Sequence, residues 1–314
     1  MCSFNILVIV MDNCVKLSRL LIRSSIWPPR GAGFCCRLYH SQERQAARRV
    51  IHFHNTPATP EGAMTRALII RHHEAETMGS NFQAILEGRG FELVPCNIFE
   101  SVPQYDRFNP PPLDDVDLIM AFGGPMSVND DLPALHRERT YLREALQDGK
   151  PVFGVCLGAQ MMSTALGGTV EPSGGYQFGL RKIHVTSDGD ADPVFGAITT
   201  PIVPTLHGEC FTIPGGATKL AEGDILLRDG RYRRINMAFR YGSSYAFQFE
   251  PQLTLEELRV WDRVFAGDYE LIGSAFSPKE ESARNLREFA KFAPEHQRQM
   301  TALLEAFLAN AELE

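Results

Sequence analysis

Cys156 stands at the centre of Gly154-Val-Cys-Leu-Gly158, a G-x-C-x-G run. An apolar stretch (152–155) precedes it and a helix-forming stretch (159–166) follows. That order is the thiol counterpart of the strand–turn–helix elbow that presents a serine in G-x-S-x-G. A nucleophile on so sharp a turn needs small neighbours. The helix behind it supplies free N–H groups that favour a thiolate and a developing oxyanion. Given a base to take its proton, such a thiol attacks an acyl carbon and forms a thioester. The alternative reading of the same residues is a buried cysteine between two packing glycines.

Several histidines are candidate bases. His207 lies in Leu206-His-Gly-Glu-Cys210, and His72 and His73 follow the first apolar run of the acidic segment. His184 alternates within a strand-like stretch and reads as a sheet residue. His136 and His296 fall on polar helical stretches and read as solvated.

The elements that position these groups alternate. Residues 67–70, 92–95, 116–122 and 152–155 read as strands, with helices over 80–89, 135–147 and 159–166 between them and a proline-rich loop over 103–112. Strands over 180–186, 218–221, 237–241 and 245–249 enrich the second half. Thr254 with Glu257, and Ser277-Pro278 with Glu280, read as capped starts of two closing helices. This pattern predicts an α/β fold with a doubly wound, mostly parallel, flavodoxin-like sheet and a strand-rich second half. Ligands of such sheets bind at the carboxyl ends of the strands. The turns 123–125 and 154–158 both follow strands and should share that edge.

Four segments in this order resemble class I glutamine amidotransferases, over about residues 65–260. AFGGPMSVND (121–130) is similar to the family's oxyanion loop, and PVFGVCLGAQ (151–160) to its nucleophile elbow. LHGECFTIPGGATKLA (206–221) resembles a W-H-G-D-x-F-x-L-P-x-G-A segment, and AFQFEPQLT (246–254) a Q-F-H-P-E segment. The resemblance implies that Gly124 and Leu157 donate backbone N–H groups to the oxyanion, and that Gln160 helps to hold glutamine. It implies no cofactor and no metal.

The last segment departs from the family. Where the family has His as base and Glu to orient it, this chain has Glu250 and Gln252. An imidazolium stabilises a thiolate, whereas a carboxylate nearby raises a thiol's pKa. Glu250 acts as a base only if burial lifts its own pKa towards neutrality. Gln252 can hydrogen-bond Glu250 but cannot polarise it as a carboxylate would. His207 is the substitute base, or else a histidine that fixes its loop. His72 or His73 is a weaker substitute.

Three functions follow. One is hydrolysis of glutamine or a γ-glutamyl amide through a Cys156 thioester, with any ammonia acceptor on a separate synthetase subunit. The second is a catalytically impaired relative serving as a binding or regulatory subunit. The third is altered Cys/Glu chemistry on another substrate.

Bulk properties narrow the setting. The 314 residues are 44% hydrophobic and 22% charged, with net charge −7. Residues 1–63 hold eight Lys/Arg against three Asp/Glu, so the remainder is strongly acidic. An acidic domain without a basic stripe argues against nucleic acid, and no apolar run is long enough for a membrane helix. Cys96, Cys156 and Cys210 are too widely spaced for a disulfide framework or a zinc site. A reducing, cytoplasmic setting is expected. Residues 1–63 read as a disordered extension, or as translated upstream sequence, with an organelle-targeting transit segment as the alternative. Residues 64–314 read as the amidotransferase-like domain.

Overall fold

The computed structural model describes residues 64–313. The expectations for residues 1–63 lie outside the described residues. The chain runs β1 (Arg66–Arg71), α1 (Ser80–Gly88), β2 (Glu92–Asn97), β3 (Leu118–Ala121), α2 (Pro133–Gln147), β4 (Val152–Val155), α3 (Leu157–Ala165), β5 (Val170–Val185), α4 (Ser187–Ala191), β6 (Ile202–Phe211), β7 (Thr218–Leu226), β8 (Tyr232–Tyr241), β9 (Ser244–Phe247), α5 (Leu255–Val264) and α6 (Pro278–Asn310).

These strands form one nine-stranded sheet in the order β2-β1-β3-β4-β9-β8-β7-β5-β6. The first five are parallel in the flavodoxin-like order. The other four extend the sheet in antiparallel fashion from β9. Every residue of β3, β4 and β9 is buried, because helices cover both faces. One face packs Phe82 of α1 and Phe307 of α6 on Phe153, at ring separations of 5.8 and 5.1 Å. The other packs Leu135 and Leu142 of α2 and Met161 of α3 on Ile119 and Val152.

Two expected features differ. β6 and the first ten residues of β5 are not among the strands expected from the sequence, where Pro172, Gly174, Gly175, Pro204 and Gly208 interrupt the alternation. Their pairing survives these residues through an irregularity between Pro172 and Gln177. Ser277 does precede α6, but its side chain makes no capping hydrogen bond. The Thr254–Glu257 box at α5 is complete. Among the described residues, no helix is long and apolar enough to cross a membrane.

Candidate active site

Parallel pairing of β3 and β4 places the loop at Gly124 beside the elbow at Cys156. Cys156 has φ 50° and ψ −107°, a conformation that L-residues avoid. Its N–H donates to Phe247 O at 2.8 Å, so β9 fixes the turn. The two glycines are required by close approach. A Cβ on Gly158 would lie 2.1 Å from Ala121 O, and one on Gly154 would lie 2.4 Å from Met162 Sδ. Gly124 is held equally tightly, with His72 Cβ 2.5 Å from where its own Cβ would be. Among the described residues, no protein oxygen accepts from the N–H of Gly124 or Leu157.

The thiol opens onto a cavity of about 550 Å³, lined also by Glu76, Gly124, Gln160 and His207. Its Sγ lies 3.6 Å from Leu206 O, and Gln248 Nε2 approaches it at 3.8 Å. Gln160 donates in turn to Gln248 Oε1 at 3.3 Å. Gln160 therefore lines the cavity and steadies a second amide at the sulfur. Gln248 sits in the quoted Gln-Phe-Glu-Pro segment, and only the pairing of β9 with β4 shows its proximity.

Glu250 is buried beside the thiol, 1% exposed, with its Oε1 left without a hydrogen-bond partner. Gln252 Nε2 donates to Glu250 Oε2 at 3.0 Å. The two side chains meet across a turn, in which Leu253 N–H donates back to Glu250 O at 3.3 Å. Burial raises the Glu250 pKa to about 7, against the opposing effect of the Gln252 hydrogen bond and the neighbouring thiol. Burial also pushes the Cys156 thiol well above its usual value, reinforced by Glu250 and Glu76. Leu157 N–H works the other way, so the helix start favours the thiolate but is outweighed.

Sequence reasoning missed Glu76. It lies in the loop after β1, is 5% exposed, and packs against Gly123, whose Cβ would fall 2.9 Å from its Oε2. Burial and then Glu250 raise its pKa well above the usual carboxylate range. Trp261 Nε1 anchors this loop through Ala75 O at 2.8 Å. The available signal was its position just beyond a strand's carboxyl end, the same reasoning applied to His72 and His73.

The histidines divide differently from expectation. His207 lines the cavity with Nδ1 3.1 Å from Glu209 O, and burial lowers its pKa to about 4. It is a neutral imidazole. His72 does not face the cavity: Nδ1 bonds Phe122 O at 3.0 Å and Nε2 bonds Glu138 at 2.8 Å, all fully buried. It braces the loop that carries Gly124. His73 packs at a tilt against Phe265, with ring centroids 5.1 Å apart, outside the cavity lining. His184 pairs with Asp224 on the sheet, and His136 is solvated beside Asp131. His296, expected to be solvated, is 1% exposed, because its side of α6 packs on the turn at Pro251 and Leu253. Among the described residues, no group of three or more His, Cys, Asp or Glu side chains is placed to hold a metal ion.

Comparison with known proteins agrees with this geometry. The family model for class-I glutamine amidotransferases matches residues 80–259. A putative glutamine amidotransferase-like protein, YfeJ of Salmonella typhimurium, is 30% identical over 198 residues, covering 61% of this chain and 77% of that protein. A glutamine-hydrolysing GMP synthase of Streptomyces avermitilis is 29% identical over 181 residues, covering 54% of this chain but only 30% of the synthase. A solved glutamine amidotransferase from Methylobacillus flagellatus superposes with TM-score 0.65 at 21% identity, over 79% of this chain and 96% of its own. One from Thermotoga maritima gives 0.63 at 22%, over 78% and 99%. The fold is shared with these solved structures and the family model spans more than half of the sequence, so the chain belongs to the class-I glutamine amidotransferase family.

Proposed function

We propose that the chain hydrolyses glutamine or a γ-glutamyl amide through a Cys156 thioester, with Glu250 as general base. The observation that carries this reading is the placement of Glu250, held by Gln252, against a thiol that faces the cavity from the elbow. Because the thiol is protonated at rest, its proton passes to Glu250 as Sγ attacks the amide carbon. The oxyanion forms against Gly124 and Leu157 N–H. Glu250 then gives that proton to the leaving nitrogen, and the C–N bond breaks. In the second half, water loses a proton to Glu250 and attacks the thioester. Its collapse releases the acid and returns the proton to sulfur. A carboxyl titrating near pH 7 suits both directions of transfer. Glutamine hydrolysis by the full chain, absent in Cys156→Ser, tests this.

A separate synthetase subunit would receive the ammonia in the coupled version of this reaction. The synthetase relative from Streptomyces supports it, because this chain matches only about a third of that protein's length. The impaired-homologue reading draws on a different observation, the thiol's elevated pKa beside two carboxyls. Complete absence of hydrolysis in a folded chain would favour it. A cytoplasmic setting fits either reading.

A further inference from the structure

The cavity at Cys156 is lined by Glu76, Asp130, Glu209 and Asp268, and no Lys or Arg appears among its described lining residues. None of these four carboxyls forms an ion pair with another described residue. Asp130 and Glu209 are drawn together by Ser127, which donates its N–H to Asp130 at 2.9 Å and its hydroxyl to Glu209 at 3.0 Å. Asp268 accepts from the Tyr176 hydroxyl. Tyr176 and Phe265 supply aromatic surface to the same cavity. Carboxylates with aromatic rings are the usual environment of an organic ammonium ion.

Two further atoms point to a ligand. Glu76 Oε2 and His207 Nε2 are buried without a hydrogen-bond partner, on side chains 5% and 4% exposed. His207 donates through Nδ1 to Glu209 O, which leaves Nε2 as a bare acceptor. Acceptors in such a position want N–H donors. A zwitterionic glutamyl group gains little from a uniformly negative field, because its two charges oppose. An amide with one extra positive charge gains from all of it.

We propose that the preferred substrate is an amide whose amine portion is a diamine or polyamine, its free end protonated and held by Asp130, Glu209 and Asp268. This inference rests on the amide-hydrolase reading above and deepens it. The acyl carbon sits at Cys156 and the distal ammonium lies among the three carboxylates.

The test compares two substrates of equal length on the full chain, the γ-glutamyl amide of 1,4-diaminobutane and the γ-glutamyl n-pentylamide, whose terminal methyl replaces the ammonium. The charged amide should show a kcat/KM higher by about tenfold. Glu209→Gln and Asp268→Asn should each narrow that ratio by about fivefold, in low salt, without the same loss on the pentylamide. Equal kcat/KM for the two amides in an active enzyme overturns the inference and leaves the hydrolase reading standing. If neither amide nor glutamine is cleaved, the hydrolase reading fails, and calorimetry with 1,4-diaminobutane decides the cation site alone. Binding that weakens in both variants supports it, and no binding overturns it.

Discussion

Glu76 and Glu250 are buried together beside the Cys156 thiol, one from the loop after β1 and the other from the turn after β9. Each stands where a second negative charge is costly, so the pair favours holding one proton at neutral pH. The site therefore differs from a cysteine–imidazole site in more than one substituted residue.

Rebuilding a conventional triad tests how much else has changed. Glu250→His with Gln252→Glu should raise glutamine hydrolysis at least about tenfold, the low end of what a positioned general base contributes. The turn that brings the Gln252 amide to Glu250 should bring a carboxylate to the imidazole in the same way. Each single change should do less, since one leaves the base unoriented and the other adds a third buried acid. A folded double variant without gain would show that Glu76 has already committed the pocket to carboxyl chemistry.

The pH dependence of stability follows from the raised carboxyls. A folded pKa above the unfolded value means that protons stabilise the folded state. For Glu250 that stabilisation is complete below about pH 4.5 and is lost as pH rises through about 7. Glu250→Gln should therefore flatten the fall in melting temperature between those values. His207 acts oppositely over an overlapping range, losing stability as pH falls from about 6.5 towards about 4, but it is common to both chains and cancels in their comparison. An unchanged slope in Glu250→Gln would remove the buried-acid account.

Thiol chemistry gives an independent reading. Alkylation of Cys156 by iodoacetamide should rise with pH and show an apparent pKa above the ordinary value of about 8.5. Glu250→Gln, which removes the strongest neighbouring anion, should shift that profile to lower pH. Rapid alkylation at pH 6 in the unaltered chain would mean that a cation, not an acid, governs the sulfur.

The elbow glycines should differ in cost. Gly158→Ala drives a methyl into the Ala121 carbonyl at 2.1 Å, where only main-chain movement gives relief. Gly154→Ala meets the Met162 sulfur first, on a side chain that can rotate. Denaturant unfolding should show a loss of about 1–3 kcal/mol for the first and less for the second. The reverse order would contradict the packing described for this turn.

Much of this site was legible in the sequence, and the residues that escaped share a cause. The elbow and the loop at Gly124 were visible as short motifs resembling those of the family, whose glycines answer to close approaches by Ala121 and His72. So was the shared edge, because alternating strands and helices leave few topologies. Glu250 and Gln252 stood out as departures from a short motif, and the turn after β9 brings their side chains together. Glu76 belongs to no motif and is marked only by its position beyond the end of β1. Its role comes from β1 lying next to β3, which brings its loop against Gly123. His296 was misread because the polarity of a helix segment says little about which side packs on a distant turn. β6 was missed because cross-strand pairing tolerates the Pro and Gly residues that locally read as breaks.

A thiol kept protonated and enclosed has one more consequence, in redox chemistry. Peroxide attacks thiolates and hardly touches thiols, so susceptibility to sulfenic acid formation follows ionisation and access. Cys156 is 8% exposed and held in its neutral form by burial and two neighbouring acids. Under hydrogen peroxide the resting protein should accumulate little dimedone-reactive sulfur, and Glu250→Gln should accumulate more. Durability towards oxidants would then come from the same carboxyls that withhold the nucleophile until a substrate arrives.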